Sequence, residues 1–415
     1  NMTSYAKRLE LLEKHLTRSR STEVEGCEDI LEAAGLKECF PDKVHEIIDR
    51  VSNALKPLAE EIDSAYEQDK FPSLITEAFR RLDVLGLEEP AYGFRQQSLL
   101  EKEASTYAIA MHDASFATLV AVHRLAINTV LHSGSEAQKA KWLPRLGKDI
   151  IGAWALSEPD FGSDASSLEF SAEPVSGGYR LNGCKKWIGN ASIAGIIIVY
   201  ARDASTGKVI GCIVETGSPG LLTYDIKHKL ALRIVRNGIL QFDNVFVPAE
   251  NILEKSRDFA SGPNAELTLS RLSIAWISIG TMAGVYQRTV SHVKENPLSP
   301  ARLTKVRASL GRMISLFKGY FLMTLHQTKL FTNKHVNVAH VSLVKGEDTR
   351  VAREVVRLAA ELLQENSLTL SSFVLKALAD AEVAYTYEGS FDINTLVAGR
   401  DLTGIASIKA PFTLP

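Results

Sequence analysis

Three stretches of the chain hold residue types that could do chemistry together. In Trp154-Ala-Leu-Ser157-Glu158-Pro159-Asp-Phe-Gly162-Ser163-Asp164, Pro159 and Gly162 force a turn. Ser157, Ser163 and Asp164 place hydroxyls and a carboxylate around it; the plain alternative is a loop capped by its own side chains. In Lys185-Lys186-Trp187-Ile188-Gly189-Asn190-Ala191, an aromatic beside a glycine at a strand end can offer a flat face to a flat ligand. Otherwise it is a core Trp with a turn behind it. In Tyr385-Thr-Tyr387-Glu388-Gly389-Ser390-Phe391-Asp392-Ile393-Asn394, Glu388 lies among Tyr387, Gly389 and Phe391. A carboxyl so flanked is partly desolvated, which raises its pKa and suits it to act as a base. Ser390 or Asp392 could cap the helix that follows. The alternative for Glu388 is an ordinary solvated side chain.

Other chemistries find no footing. Cys27, Cys39, Cys184 and Cys212 fit no metal spacing and no disulfide framework, and they favour a reducing compartment. His123, His132, His292, His326, His335 and His340 are scattered, so no metal site is expected. No glycine-rich loop follows a strand, which leaves a nicotinamide or ATP site unsupported. The 47 Lys and Arg nearly balance 49 Asp and Glu, so no nucleic-acid partner is expected. No apolar run approaches the roughly 18 residues of a membrane span, and the N-terminus carries no apolar secretory segment. Phe412-Thr-Leu-Pro415 is not a peroxisomal signal. The expected location is intracellular, cytoplasmic or organellar.

The elements that must position these stretches fall into zones. The 415 residues are 45% hydrophobic and 23% charged, enough for a sizeable core and two or three units. Before Phe40 the pattern is that of one or two amphipathic helices, an extension over 1–40. From 41 to 149 it is helical: Val44, Ile47, Ile48, Val51, Leu55 and Leu58 recur at helical spacing between Lys43 and Asp63. Ser135 and Gln138 have capping-box spacing. From 150 to 255 the period shortens to that of strands, as in Ile196-Ile-Ile-Val-Tyr200, punctuated by turns at Gly177-Gly178, Asn182-Gly183, Ser218-Pro219-Gly220 and Asn237-Gly238. From 256 to 415 helices return; Leu267–Val293 is long and apolar, and Val351, Val355, Leu358 and Leu362 form a stripe. The order implies an α+β fold, a helical bundle with an inserted β unit.

Taken together, these segments resemble the acyl-CoA dehydrogenase and acyl-CoA oxidase superfamily, most of all its short-chain acyl-CoA oxidase and glutaryl-CoA dehydrogenase branch. The likeness covers about Asp42 to Ile408. It rests on Leu156-Ser-Glu-Pro-Asp-Phe-Gly-Ser-Asp164, Asn182-Gly-Cys-Lys-Lys-Trp-Ile-Gly-Asn190, Asn244-Val-Phe-Val-Pro248 and Tyr385–Asn394, running on through Gly399-Arg400 and Thr403-Gly-Ile405. The resemblance implies an N-terminal helical domain, a central β-barrel-like domain and a C-terminal four-helix bundle. It implies FAD between the last two, a homodimer or homotetramer, and oxidation of an acyl-CoA to a trans-2-enoyl-CoA. Glu388 would take the α-proton while hydride passes from Cβ to the flavin. The backbone N–H of the same Glu and a flavin hydroxyl would hold the thioester carbonyl. Ser157, Ser163, Trp187, Gly189, Ser390, Asp392 and Asn394 match flavin-site positions. Phe116, Arg271 and Gly389 match positions near the substrate, which CoA or a carrier protein would deliver.

The chain also departs from the family pattern. Gly189 replaces a common Thr or Ser, which removes a hydroxyl and leaves space. Val293-Lys-Glu-Asn-Pro-Leu-Ser-Pro-Ala-Arg-Leu303 lacks an Arg-x-Gln-Phe stretch, and Leu362-Leu-Gln-Glu-Asn-Ser-Leu368 lacks a glycine-rich loop. In the family both reach a neighbour's FAD phosphates, so FAD is expected to be held weakly or lost. The alternatives are therefore a flavin-free acyl-thioester enzyme and a partner-binding pseudoenzyme. Phe116 stands where the glutaryl-CoA branch carries an Arg, so an apolar acyl tail is expected and a carboxylate-bearing one disfavoured.

Overall fold

The computed structural model describes residues 29–72, 82–296, 299–369 and 372–405. The extension before residue 29, Cys27 included, lies outside them. The first described helix, α1 (Ile30–Ala33), is capped by Asp29. The stretch expected as one helix from Lys43 is two, α2 (Asp42–Leu55) and α3 (Ala59–Gln68), joined by a single 3-10 turn at Lys56–Leu58. Pro57 explains the break, because it has no N–H to continue the ladder. Helices α4 (Leu99–His112), α5 (Ala114–Ser133) and α6 (Glu136–Lys148) each begin on a side-chain cap: Ser98 with Glu101, Asp113, and Ser135 with Gln138. The last is the capping box that the spacing predicts. Helix α5 is long and apolar enough to cross a membrane, but most of its surface is buried inside the molecule.

The middle of the chain is one curled sheet of β1 (Ile151–Ala155), β2 (Ser171–Val175), β3 (Gly178–Ile188), β4 (Ala194–Asp203), β5 (Val209–Glu215), β6 (Leu221–Asp225) and β7 (Gly238–Pro248). The order is β1-β4-β2-β3-β7-β6, with β5 also paired to β4. Asn182-Gly183 is not a turn. It lies inside β3 opposite β7, where the register shifts between Leu181 and Gly183. Gly183 has φ +130°, and a Cβ there would meet Phe170 Cδ2 at 2.8 Å. The glycine thus serves a bulge that keeps one strand running over eleven residues.

Helices then return as α7 (Pro263–Glu295), α8 (Pro300–Thr332), α9 (Val338–Leu363), α10 (Phe373–Thr386) and α11 (Phe391–Thr403). The stripe on α9 is buried, as its spacing predicts. The flanking helical zones are not separate bodies. Tyr107 and Met111 of α4 share one core with Trp276, Ile279 and Met282 of α7. Gly280 and Gly284 make that approach possible, since a Cβ on either would run into the carbonyls of Tyr107 and Met111. The β domain therefore sits against one continuous helical body, and the loop between α10 and α11 lies beside α7 and α9.

Candidate functional site

Glu388 occupies the link between α10 and α11, half-buried, with φ +54°; Gly389 follows at φ +84°. Two successive left-handed residues, the first not glycine, are strained backbone that the surroundings must hold. Several contacts do so. Ser270 Oγ of α7 donates to Glu388 Oε2 at 2.6 Å, and Arg271 Nε donates to the Glu388 carbonyl at 3.4 Å. Tyr385 and Phe391 stack across the link with ring centroids 5.3 Å apart. Ser390, not Asp392, is the cap of α11, accepting from Ile393 N at 3.3 Å. Asn394 is fully buried and donates to the carbonyls of Gly389 and Ser390 at 2.8 and 3.0 Å. Asp392 is exposed on the first turn.

Beneath the link stands a residue the sequence reading passes over. Lys345 of α9 has no exposed surface, and its Nζ donates to the carbonyls of Tyr387 at 2.5 Å and Gly389 at 2.6 Å, one on either side of Glu388. A signal existed: Val341, Lys345, Asp348, Ala352 and Val355 recur at steps of four and three, which places a lysine on the buried stripe. Burial pushes Lys345 down to about 7, against the pull of Glu388. Burial also raises the Glu388 carboxyl, with Ser270, Arg271 and Lys345 working in the opposite direction. The expectation of a desolvated, pKa-raised carboxyl therefore matches the geometry.

The other two stretches meet at the end of β3. Trp187 has φ +64° and is 56% exposed, an open aromatic face rather than a core Trp. Lys186 N donates to the Ser157 carbonyl at 2.9 Å, which ties Trp187's strand to the half-buried Ser157. Lys185 is fully buried and donates to the Leu156 carbonyl at 2.9 Å and to Glu158 Oε1 at 2.8 Å. Ser163 is exposed further along the loop, beside Asp164, which accepts from Ser166 and Ser167. Gly189 does not leave open space: a Cβ there would meet Val122 Cγ2 at 3.1 Å, so α5 already fills the place of the missing hydroxyl.

Phe116 is placed differently from the expectation. It has no exposed surface and packs in the core with Ile109, Leu119 and Ile274. The cavity that adjoins Ser270 is lined instead by residues of α4, α5 and α7, Phe116 not among them. An aromatic in the first turn of a buried helix packs inward, so the position that matched a substrate contact here serves the core. Arg271 is also buried, but its Nη1 has no hydrogen-bond partner among the described residues. That orphan donor beside Glu388 is a place where a bound group could accept.

A curled sheet set against one continuous helical body is the architecture of acyl-CoA dehydrogenases. The chain belongs to that family: its N-terminal, middle and C-terminal domain models match residues 42–149, 153–245 and 263–403. A curated acyl-CoA dehydrogenase of Bacillus subtilis (strain 168) is 28% identical over 372 residues, covering 85% of this chain and 95% of that protein. The mitochondrial isovaleryl-CoA dehydrogenase of Pongo abelii is 30% identical over 366 residues, covering 83% and 84%. The crystal structure of glutaryl-CoA dehydrogenase from Mycobacterium smegmatis superposes with a TM-score of 0.87 at 26% identity, over 92% of this chain and all of that one. A second structure of that enzyme, in complex with FADH2, gives 0.86. Members of the family are FAD-dependent oxidoreductases.

The residues present fit a flavin. Trp187 offers an open flat face, Ser157 stands on the strand-linked loop beside it, and Asn394 Oδ1 is buried without a hydrogen-bond partner among the described residues. An aromatic plane, a hydroxyl and an unsatisfied acceptor are what a polar, planar cofactor needs.

Proposed function

We propose that the protein oxidises an acyl thioester between Cα and Cβ to the trans-2-enoyl thioester, with FAD as cofactor and Glu388 as the base. The observation that carries this reading is the Glu388 carboxyl, held on strained backbone, partly desolvated and oriented by Ser270. Ser157, Trp187 and Gly189 would lie along the flavin, with Ser163, Ser390, Asp392 and Asn394 toward the rest of the cofactor. When bound, FAD accepts the hydride that leaves Cβ. Glu388 takes the proton from Cα, so the substrate loses one proton and one hydride and gains the double bond. The Glu388 N–H would hold the thioester carbonyl, which acidifies Cα by stabilising the developing oxyanion. Burial raises the pKa of the carboxyl, the direction that suits a general base.

Glu388→Gln keeps the shape and the Ser270 contact but cannot accept the proton. Turnover of butyryl-CoA should fall by about 100-fold or more while the variant unfolds at the wild-type temperature. Undiminished turnover would move the base elsewhere.

A further inference from the structure

Beside Ser270, which donates to Glu388, lies a cavity of about 30 Å³ lined by Leu85, Leu99, Leu269, Glu103 and Arg124. Ser270 and Ser273 also line it, one helical turn apart on α7 and so on one face. Ser270 donates to Glu388 at 2.6 Å, and Ser273 Oγ donates to Glu103 Oε1 at 2.8 Å. The same helix face thus carries a second buried carboxylate. Glu103 is 3% exposed; burial raises its carboxyl, with Arg124, Ser273, Lys102 and Thr106 working in the opposite direction, and its other oxygen, Oε2, makes no well-formed hydrogen bond among the described residues. An unmet acceptor in a buried pocket is costly unless something donates to it.

The charges around the pocket narrow what that donor is. Arg124 is committed to the protein: its terminal nitrogens donate to the Lys102 and Val84 carbonyls, Thr106 Oγ1 and Ser105 Oγ. It is a fixed cation, not a hand free to grip a carboxylate. An acidic group entering the pocket would meet Glu103, and an ammonium would meet Arg124 and Lys102. A neutral hydroxyl meets an open acceptor. The volume suits a group about the size of a water molecule. Ser270 and Ser273 are about 4.5 Å apart along α7, the span of three or four carbon–carbon bonds.

We propose that Glu103 makes this enzyme selective for a short acyl thioester carrying a neutral hydroxyl near the γ-carbon, which donates to Glu103 Oε2. The inference rests on the acyl-thioester reading above. It gives a distal contact on Glu103, where the sequence suggested an apolar one on Phe116.

The test is calorimetric binding of 4-hydroxybutyryl-CoA and butyryl-CoA to the full-length, FAD-loaded Glu388→Gln protein, which binds without turnover. The hydroxylated thioester should bind about tenfold tighter or better. Adding Glu103→Leu should reverse the order, and adding Glu103→Gln should keep part of the preference. If the leucine variant does not fold, the ratio without it and the glutamine variant still decide. Equal affinities, or butyryl-CoA the tighter, would show that Oε2 is served by water and would overturn the pocket assignment alone. Binding of neither thioester would remove the proposed function with it.

Discussion

At the scale of single residues, the site turns on two groups with opposed burial costs. Glu388 is raised and Lys345 lowered, each by desolvation and each eased by the other. The Lys345 ammonium donates to the carbonyls flanking Glu388 and lies over the Tyr387 ring, so it is a positioning residue. Lys345→Met should lower turnover by 10–100-fold, the cost of about an ångström of misplacement. It should also shift the ascending limb of kcat/KM against pH to higher pH, because Glu388 ionises less readily once that cation is gone. The remaining groups facing Glu388 are Ser270 and Arg271 of α7 and Tyr387 of its own link. A variant slower at every pH with the limb unmoved would make Lys345 merely structural; Lys345→Arg should restore the limb in part. The partly desolvated setting of Glu388 was legible from its neighbours, whereas its role as base came from the family resemblance and is a proposal. Lys345 was not, because a lysine on a helix reads as a solvated face until it is placed on the α9 stripe. Phe116 packs in the core, which the matched position could not foretell, because it says nothing of which way a helix packs.

At the scale of elements, one buried pair fixes the loop after β1 against β3. Lys185 joins the Leu156 carbonyl to Glu158, and Glu158 in turn accepts from the backbone N–H groups of Glu169 at 2.8 Å and Phe170 at 3.1 Å. Ser157 precedes Glu158, and Trp187 stands two residues after Lys185. Lys185→Met leaves the carboxylate buried without its cation, at a cost of about 3–5 kcal/mol. It should also lower the flavin-to-protein absorbance ratio after extensive dialysis. The wild-type ratio is itself expected to fall below one, since Gln364 and Glu365 are exposed on a 3-10 turn that offers no cation to a phosphate. A ratio of one that survives dialysis in both proteins would refute both expectations. The pattern of elements was readable because α6 opens on a capping box, α7 is long and apolar, and α9 carries a regular buried stripe. Asn182-Gly183 misled because the same dipeptide that makes a hairpin turn can make a bulge, and only the partner strand decides. Lys56-Pro57 misled because an apolar stripe continues in phase across one tight turn.

At the scale of the molecule, Asp380 of α10 is where the three parts of the chain meet. Its Oδ1 accepts from Tyr66 of α3 at 3.1 Å and from Leu232 N in the loop after β6 at 2.7 Å, and its Oδ2 accepts from Ser115 of α5 at 3.3 Å. Lys376 lies one turn back on α10, paired with Asp113 and with Asp63 at 3.3 Å. Burial, with Asp113 adding to it, raises Asp380 to about 6. In the unfolded chain the same group titrates near ~3.9. Below pH 4 both states hold the proton. Between about 4 and 6 the folded state keeps a proton that the unfolded state has released, so this group's stabilisation is lost as pH rises through 6. Lys376, raised to about 12, stays charged across that window and adds no slope. Asp63 is raised too, but it is common to any variant at 380 and cancels in a difference. Asp380→Asn fixes the neutral form. The unfolding free energy of the wild type minus that of the variant should therefore decrease by about 2 kcal/mol from pH 4 to pH 7.5, measured by urea denaturation at both ends. A difference that stays level would mean Asp380 is charged throughout, with Lys376 holding it so. A difference that grows would place the stabilising charge on Asp380 itself and reverse the account of how the three parts are joined.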